Sequence, residues 1–159
     1  MRALRVVVEG EPSTDHRPRY VGIDRRGKPR FKPSEPYKAW KARCHLAAVI
    51  ARACWEEEHG EAWPLHAVGP RGGKLPMLYA VSGIGFLAAM RKDADNCVRG
   101  FRDAAEGVLW PNDNRCRPVA DDAWKATDAL TPCLVVEVVP WDPRDGLMLA
   151  RFEWRPEGD

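Results

Sequence analysis

The chain has no apolar run of membrane-spanning length, no Cys-x-x-Cys, no internal repeat and no low-complexity segment. A spanning helix needs roughly 20 consecutive apolar residues, so none is expected here. Met1-Arg2-Ala3-Leu4-Arg5 leads into no long apolar stretch with a cleavage site, and the expectation is an intracellular, cytoplasmic protein. The five cysteines, at 44, 54, 97, 116 and 133, are odd in number and unpaired in spacing, which favours reduced thiols over a disulfide framework or a zinc site. His16, His45, His59 and His66 share no ligand spacing, and Ser82 lacks the Gly-x-Ser-x-Gly elbow of a hydrolase. Gly83-Ile84-Gly85-Phe86-Leu87-Ala88 fits a short dinucleotide pattern, but its neighbours read as strand rather than phosphate loop.

What is present is an ordinary globular composition, 45% apolar and 30% charged over 159 residues, enough for one domain spanning 1–159. Its net charge of +2 conceals an asymmetry. Residues 1–45 hold 12 Lys/Arg against 5 Asp/Glu, whereas 100–159 hold 7 against 12. The excess is densest at Arg25, Arg26, Lys28, Arg30 and Lys32, where Gly27 and Pro29 oppose helix. Residues 10–33 therefore read as a basic loop, an arm or hairpin tip suited to phosphates.

Leu4, Val6 and Val8 alternate with Arg5, Val7 and Glu9 as a first strand. Ser34 is positioned to cap a helix with Glu35 and Pro36 in its first turn, running to about Glu58 with Tyr37, Trp40, Cys44, Ala48 and Trp55 inward. Residues 61–73 read as irregular. Leu75 to Met90 reads as one long strand or a hairpin broken at Gly83-Ile84-Gly85. A second helix is expected from Asn96 to about Gly107, capped by Asp95. Cys116 to Leu130 reads as irregular or weakly extended, Cys133 to Val139 as a buried strand, and 141–159 as a C-terminal hairpin extension. The expected fold is a small α/β domain with a mixed sheet and two main helices.

The chemistry concentrates in Lys92-Asp93-Ala94-Asp95-Asn96, with Asp113 further on. Two carboxylates one residue apart, joined by a third, form an oxygen cage of the kind Mg²⁺ or Mn²⁺ accepts. Arg91 and Lys92 place cations at its edge, as cleavage of a polyanion requires. Asp95 as a simple cap and Asp93 as a solvated acid is the competing reading. Arg99, one helical turn after Asp95, is placed to steady a phosphate, or else to pair with Asp95 or Asp103. Asp121-Asp122 is a second candidate for the third acid. Trp110 and Trp124 flank the region, as core or as platforms for unpaired bases.

Residues 91–113, from Arg91-Lys92-Asp93-Ala94-Asp95-Asn96 through Arg99 and Phe101-Arg102-Asp103 to Trp110-Pro111-Asn112-Asp113, resemble the core of the RusA family of Holliday junction resolvases. Outside that window the likeness is one of element order, from about residue 4 to 139. The resemblance implies a homodimeric, Mg²⁺-dependent endodeoxyribonuclease (Mn²⁺ as substitute) that nicks four-way DNA junctions in pairs. By position, Asp93, Asp95 and Asp113 would be its catalytic, metal-binding carboxylates. Arg99 falls where the family usually has a catalytic lysine, and Lys125 near a later lysine suited to DNA. Two departures stand out: arginine replaces that lysine, and Asn112-Asp113 replaces an acidic pair, so one carboxylate is absent. These leave open a catalytically impaired junction-binding protein and, from another class, a metal-dependent small-molecule phosphohydrolase.

Overall fold

The computed structural model describes residues 2–13, 19–68, 74–87, 94–118, 123–126 and 132–141, with backbone alone at 67–68, 75–76, 86–87, 94–96, 117–118 and 123–126. The elements in chain order are β1 (Leu4–Glu9), β2 (Arg19–Ile23), β3 (Pro29–Lys32), α1 (Glu35–His59), β4 (His66–Val68), β5 (Lys74–Pro76) and β6 (Leu78–Leu87). They continue with α2 (Ala94–Ala105), a 3-10 helix (Asp113–Arg115), β7 (Cys116–Pro118), β8 (Ala123–Ala126) and β9 (Cys133–Trp141). This is the expected small α/β fold with a mixed five-stranded sheet. β9 runs antiparallel between β1 and β6, while β7 and β8 pair in parallel with the first and second halves of β6.

Register aligns the apolar alternation of three strands into rows. Leu4, Val138 and Val81 lie side by side; so do Val6, Val136 and Gly83, and Val8, Leu134 and Gly85. All these positions are buried, and each Val or Leu contributes roughly 1.5–3 kcal/mol by leaving water. The rows shrink from valine to glycine at β6, where α2 arrives. A Cβ on Gly83 would stand 2.5 Å from Val98 Cγ2, so glycine is what lets the helix seat.

α1 begins as the sequence indicates. Ser34 Oγ accepts from the Tyr37 N–H at 3.4 Å, and proline occupies the opening turn. It ends where Gly60 adopts φ 66° and donates to the Glu56 carbonyl, a left-handed cap. Tyr37, Trp40, Cys44, Ala48 and Trp55 are its buried residues. Burial pushes the Cys44 thiol up to about 12.

Several expectations are corrected. The 10–33 segment contains the β2–β3 hairpin rather than an unbroken loop, and 61–73 contributes β4, which pairs with β5. Of the two readings for Leu75 to Met90, the unbroken strand holds through Gly83-Ile84-Gly85, where β9 pairs with β6 from Leu78 to Phe86. α2 starts at Ala94, which puts Asp95 inside its first turn rather than at the cap. The expected C-terminal hairpin extension lies outside the described residues beyond Trp141, as do Arg91, Lys92, Asp93, Asp121 and Asp122.

Candidate functional site

α2 is the rigid part of the candidate site. It follows the central strand β6 and is seated on it through Val98, with Cys97, Phe101 and Ala105 also fully buried. Asp95 falls in its first turn, where the exposed amide ends of the helix favour a negative charge. Arg99, one turn on, is exposed. Arg99 and Asp103 act on Tyr37 of α1: burial raises the phenol pKa most, Asp103 raises it further, and Arg99 partly offsets both. Arg99 and Asp103 form no ion pair with each other, so the guanidinium is not consumed by that neighbour.

The turn after α2 is pinned from elsewhere in the chain. Gly107, at φ 79°, donates to the Trp110 carbonyl. Arg52 Nη1 of α1 donates to the Val108 carbonyl at 2.8 Å, and Trp63 Nε1 to the Leu109 carbonyl at 2.7 Å. Trp110 Nε1 donates back to the Arg102 carbonyl at 3.1 Å. Glu56 ties the donors together, accepting from the Trp63 N–H and from Arg52 Nε, which hold its carboxyl below the usual range. Trp110 is fully buried against Tyr79 and Phe101, which rules it out as a platform for bases. The side chain of Trp124 lies outside the described residues.

That clamp fixes where Asp113 goes. Asn112 caps the 3-10 helix, accepting from the Asn114 N–H, and Asp113 is exposed at its start. The chain then enters β7 with Cys116 paired to Tyr79, near the beginning of β6. Val98, by contrast, sits over Gly83, four residues further along that strand and about 13 Å away. Asp95 lies a further helical turn beyond Val98. Asp95 lies in the first turn of α2, and Asp113 follows the end of that helix by eight residues. Carboxylates around one Mg²⁺ must each bring an oxygen to about 2.1 Å. The side chain of Asp95 lies outside the described residues. Among the described residues no three His, Cys, Asp or Glu side chains gather as a metal site. The segment with Asp121-Asp122 leads into Ala123, which pairs beside Ile84 in the half of β6 nearer the start of α2.

The surroundings of Asp113 were not legible from sequence. An open cleft of about 440 Å³ is lined by His66, Lys74, Met77, Asn112, Asn114 and Arg115, together with Pro111. Its polar lining comes from β4, β5 and the 3-10 helix, and no spacing in the sequence links them. His45 Nδ1 lies 2.9 Å from the Ala104 carbonyl, and His59 stacks on Trp55, so each is engaged within the fold; His16 lies outside the described residues.

The basic segment is better defined than expected. Arg25, Arg26 and Lys28 occupy the tip of the β2–β3 hairpin, with Arg30 and Lys32 on β3, and all five are exposed. Asp24 Oδ1 accepts from the Arg26 and Lys28 N–H groups, closing the tip. Lys125 pairs by backbone with Phe86 on β8; its side chain lies outside the described residues. Among the described residues no helix is long and apolar enough to cross a membrane. No protein-family model matches the chain, and no curated protein matches it.

Proposed function

We propose that the chain is a metal-dependent endonuclease of branched DNA, similar in kind to the RusA resolvases, acting inside the cell. The observation that carries this reading is α2. A helix seated on the central strand holds Asp95 in its first turn and an exposed Arg99 one turn later. Carboxylates alone supply hard oxygen donors, which suit Mg²⁺ or Mn²⁺. Asp93 and Asp95 would hold the ion. Asp113 would supply the third carboxylate, with Asp121 or Asp122 as the alternative. The bound ion would supply an activated water and neutralise the leaving oxygen. Arg99 would hold the scissile phosphate, and Arg91, Lys92, Lys125 and the hairpin cations would grip the flanking backbone.

A four-way junction has two-fold symmetry, which a homodimer would match with two sites. Exposed Leu46, Val49 and Ile50 on α1 support self-association. The arginine at 99 and Asn112 in place of an acid favour, as a second reading, a protein that binds junctions without cutting them. The phosphohydrolase reading has less support, because the 440 Å³ cleft is lined by cations and amides rather than acids.

The test is incubation of a labelled four-way junction and a matched duplex with Mg²⁺, Mn²⁺ or EDTA. Symmetric metal-dependent nicks in the junction, lost in Asp95→Asn, are the expected result. Binding without nicks would establish the second reading, and turnover of nucleotides or phosphate esters without DNA binding the third.

A further inference from the structure

The β2–β3 hairpin is a two-faced ribbon, and one irregularity makes it so. Strict alternation along Arg19-Tyr20-Val21-Gly22-Ile23 would put Tyr20 and Ile23 on opposite faces. The register instead pairs Arg19 with Lys32, Tyr20 with Phe31, Gly22 with Arg30 and Ile23 with Pro29, with a bulge between Tyr20 and Gly22. Directly paired residues point to the same side. One face therefore carries Tyr20, Phe31, Ile23 and Pro29, and the other carries Arg19, Arg30 and Lys32.

The apolar face is open. Tyr20 is 58% exposed, Phe31 55% and Ile23 63%. The two rings meet edge to face, centroids 5.9 Å apart and planes at 67°, so neither stacks flat on the other and ring face is left for a third partner.

The charge on this ribbon selects the partner. Residues 19–32 hold six cations and one acid, Asp24, whose Oδ1 is taken by the tip amides. An aromatic face on a cationic ribbon fits a polyanion that also presents flat apolar rings, which is nucleic acid with unpaired bases.

We propose that Tyr20 and Phe31 form a stacking platform for unpaired bases, while Arg19, Arg30 and Lys32 hold the neighbouring phosphates. This rests on the DNA reading above and deepens it. The ribbon engages the part of a branched substrate where bases are unstacked, whereas a blunt duplex meets only its cations.

The experiment measures anisotropy of a labelled single strand and of its blunt duplex in EDTA, so catalysis plays no part. For Tyr20→Ala/Phe31→Ala, single-strand affinity falls at least about tenfold, while duplex affinity changes less than about threefold. Arg30→Ala/Lys32→Ala weakens both and flattens the salt dependence. A single strand carrying 2-aminopurine is quenched by the wild type and not by Tyr20→Leu/Phe31→Leu, which keeps the apolar face and removes the rings. Equal effects of the aromatic pair on both ligands, or none on either, would overturn the platform. So would loss of a dimer in light scattering with single-strand affinity retained, since that would mark the face as a contact between copies. Platform binding without junction nicking defeats only the nuclease reading; nicking without ring dependence defeats only the platform.

Discussion

Gly83→Ala concentrates the structural argument in one atom. The added Cβ would lie 2.5 Å from Val98 Cγ2 and 3.6 Å from its Cβ and Cγ1, against an ordinary carbon–carbon contact of about 3.5–4 Å. Val98 cannot rotate away, because a β-branched residue in a helix has one strongly favoured χ1, and it is only 2% exposed. Relief requires α2 to rise off β6 by about an ångström, an overpacking cost of roughly 1–3 kcal/mol. Replacing glycine in a strand returns roughly 0.5–1 kcal/mol through the unfolded chain. The net expectation is a loss of about 1–2 kcal/mol. Val98→Ala alone costs roughly 1–3 kcal/mol in buried methyls. In the double variant the clash has no partner, so the two losses fall short of additivity by about 1 kcal/mol. Urea unfolding followed by tryptophan fluorescence, with a shared slope, gives all four corners of the cycle. Additivity within about 0.5 kcal/mol would refute the claim that this contact sets the height of α2.

Four further outcomes follow from the same geometry. Ser34→Ala removes the cap of α1 and lowers stability by about 1 kcal/mol, whereas Ser34→Asp retains it; urea midpoints decide. Trp63→Phe strips the donor from the Leu109 carbonyl and costs roughly 1–3 kcal/mol, and unchanged stability would mean the clamp carries no strain. Burial holds the Cys44 thiol neutral, its pKa about 12 in the fold against 9.0 ordinarily, so the unfolded chain releases the proton first. Stability is then full below pH 9 and falls as pH rises toward 12, and Cys44→Ala shows a shallower alkaline fall in urea midpoint; parallel curves would contradict this. Asp95→Asn and Asp113→Asn each lose about a hundredfold or more of any metal-dependent junction nicking; activity retained in Asp113→Asn alone would move the third carboxylate to Asp121 or Asp122.

What could be read from the sequence was local. Ser34-Glu35-Pro36 announces α1 because a cap and an opening proline act within one turn. Leu4-Val6-Val8 and Cys133 to Val139 declare strands because one face of each is dry. β2 went unread because none of its side chains is buried and a bulge breaks its alternation. β7 and β8 are short pieces whose pairing with β6 depends on a register no local pattern records. The same limit governs the site. Asp93-x-Asp95 is a local signal, but whether Asp113 joins it depends on the direction in which α2 returns along β6, and that is set by tertiary packing. The clamp of Arg52, Glu56 and Trp63 on residues 108–109 is equally invisible in sequence, since its partners lie on separate elements.

The position of β9 bears on how the molecule comes into being. β1 pairs with β9, Leu4 to Val138 and Glu9 to Cys133, and β6 pairs with β9 along its length. During synthesis β1 leaves the ribosome well before β9, the strand that shelters it. Such long-range closure is slow, and it leaves the apolar side of β1 uncovered in the meantime. Until β9 arrives, β6 lacks one neighbour, and the seat on which α2 holds Asp95 is incomplete. The footing of α2, and of the Asp95 it carries, is therefore completed only once β9 has been laid down.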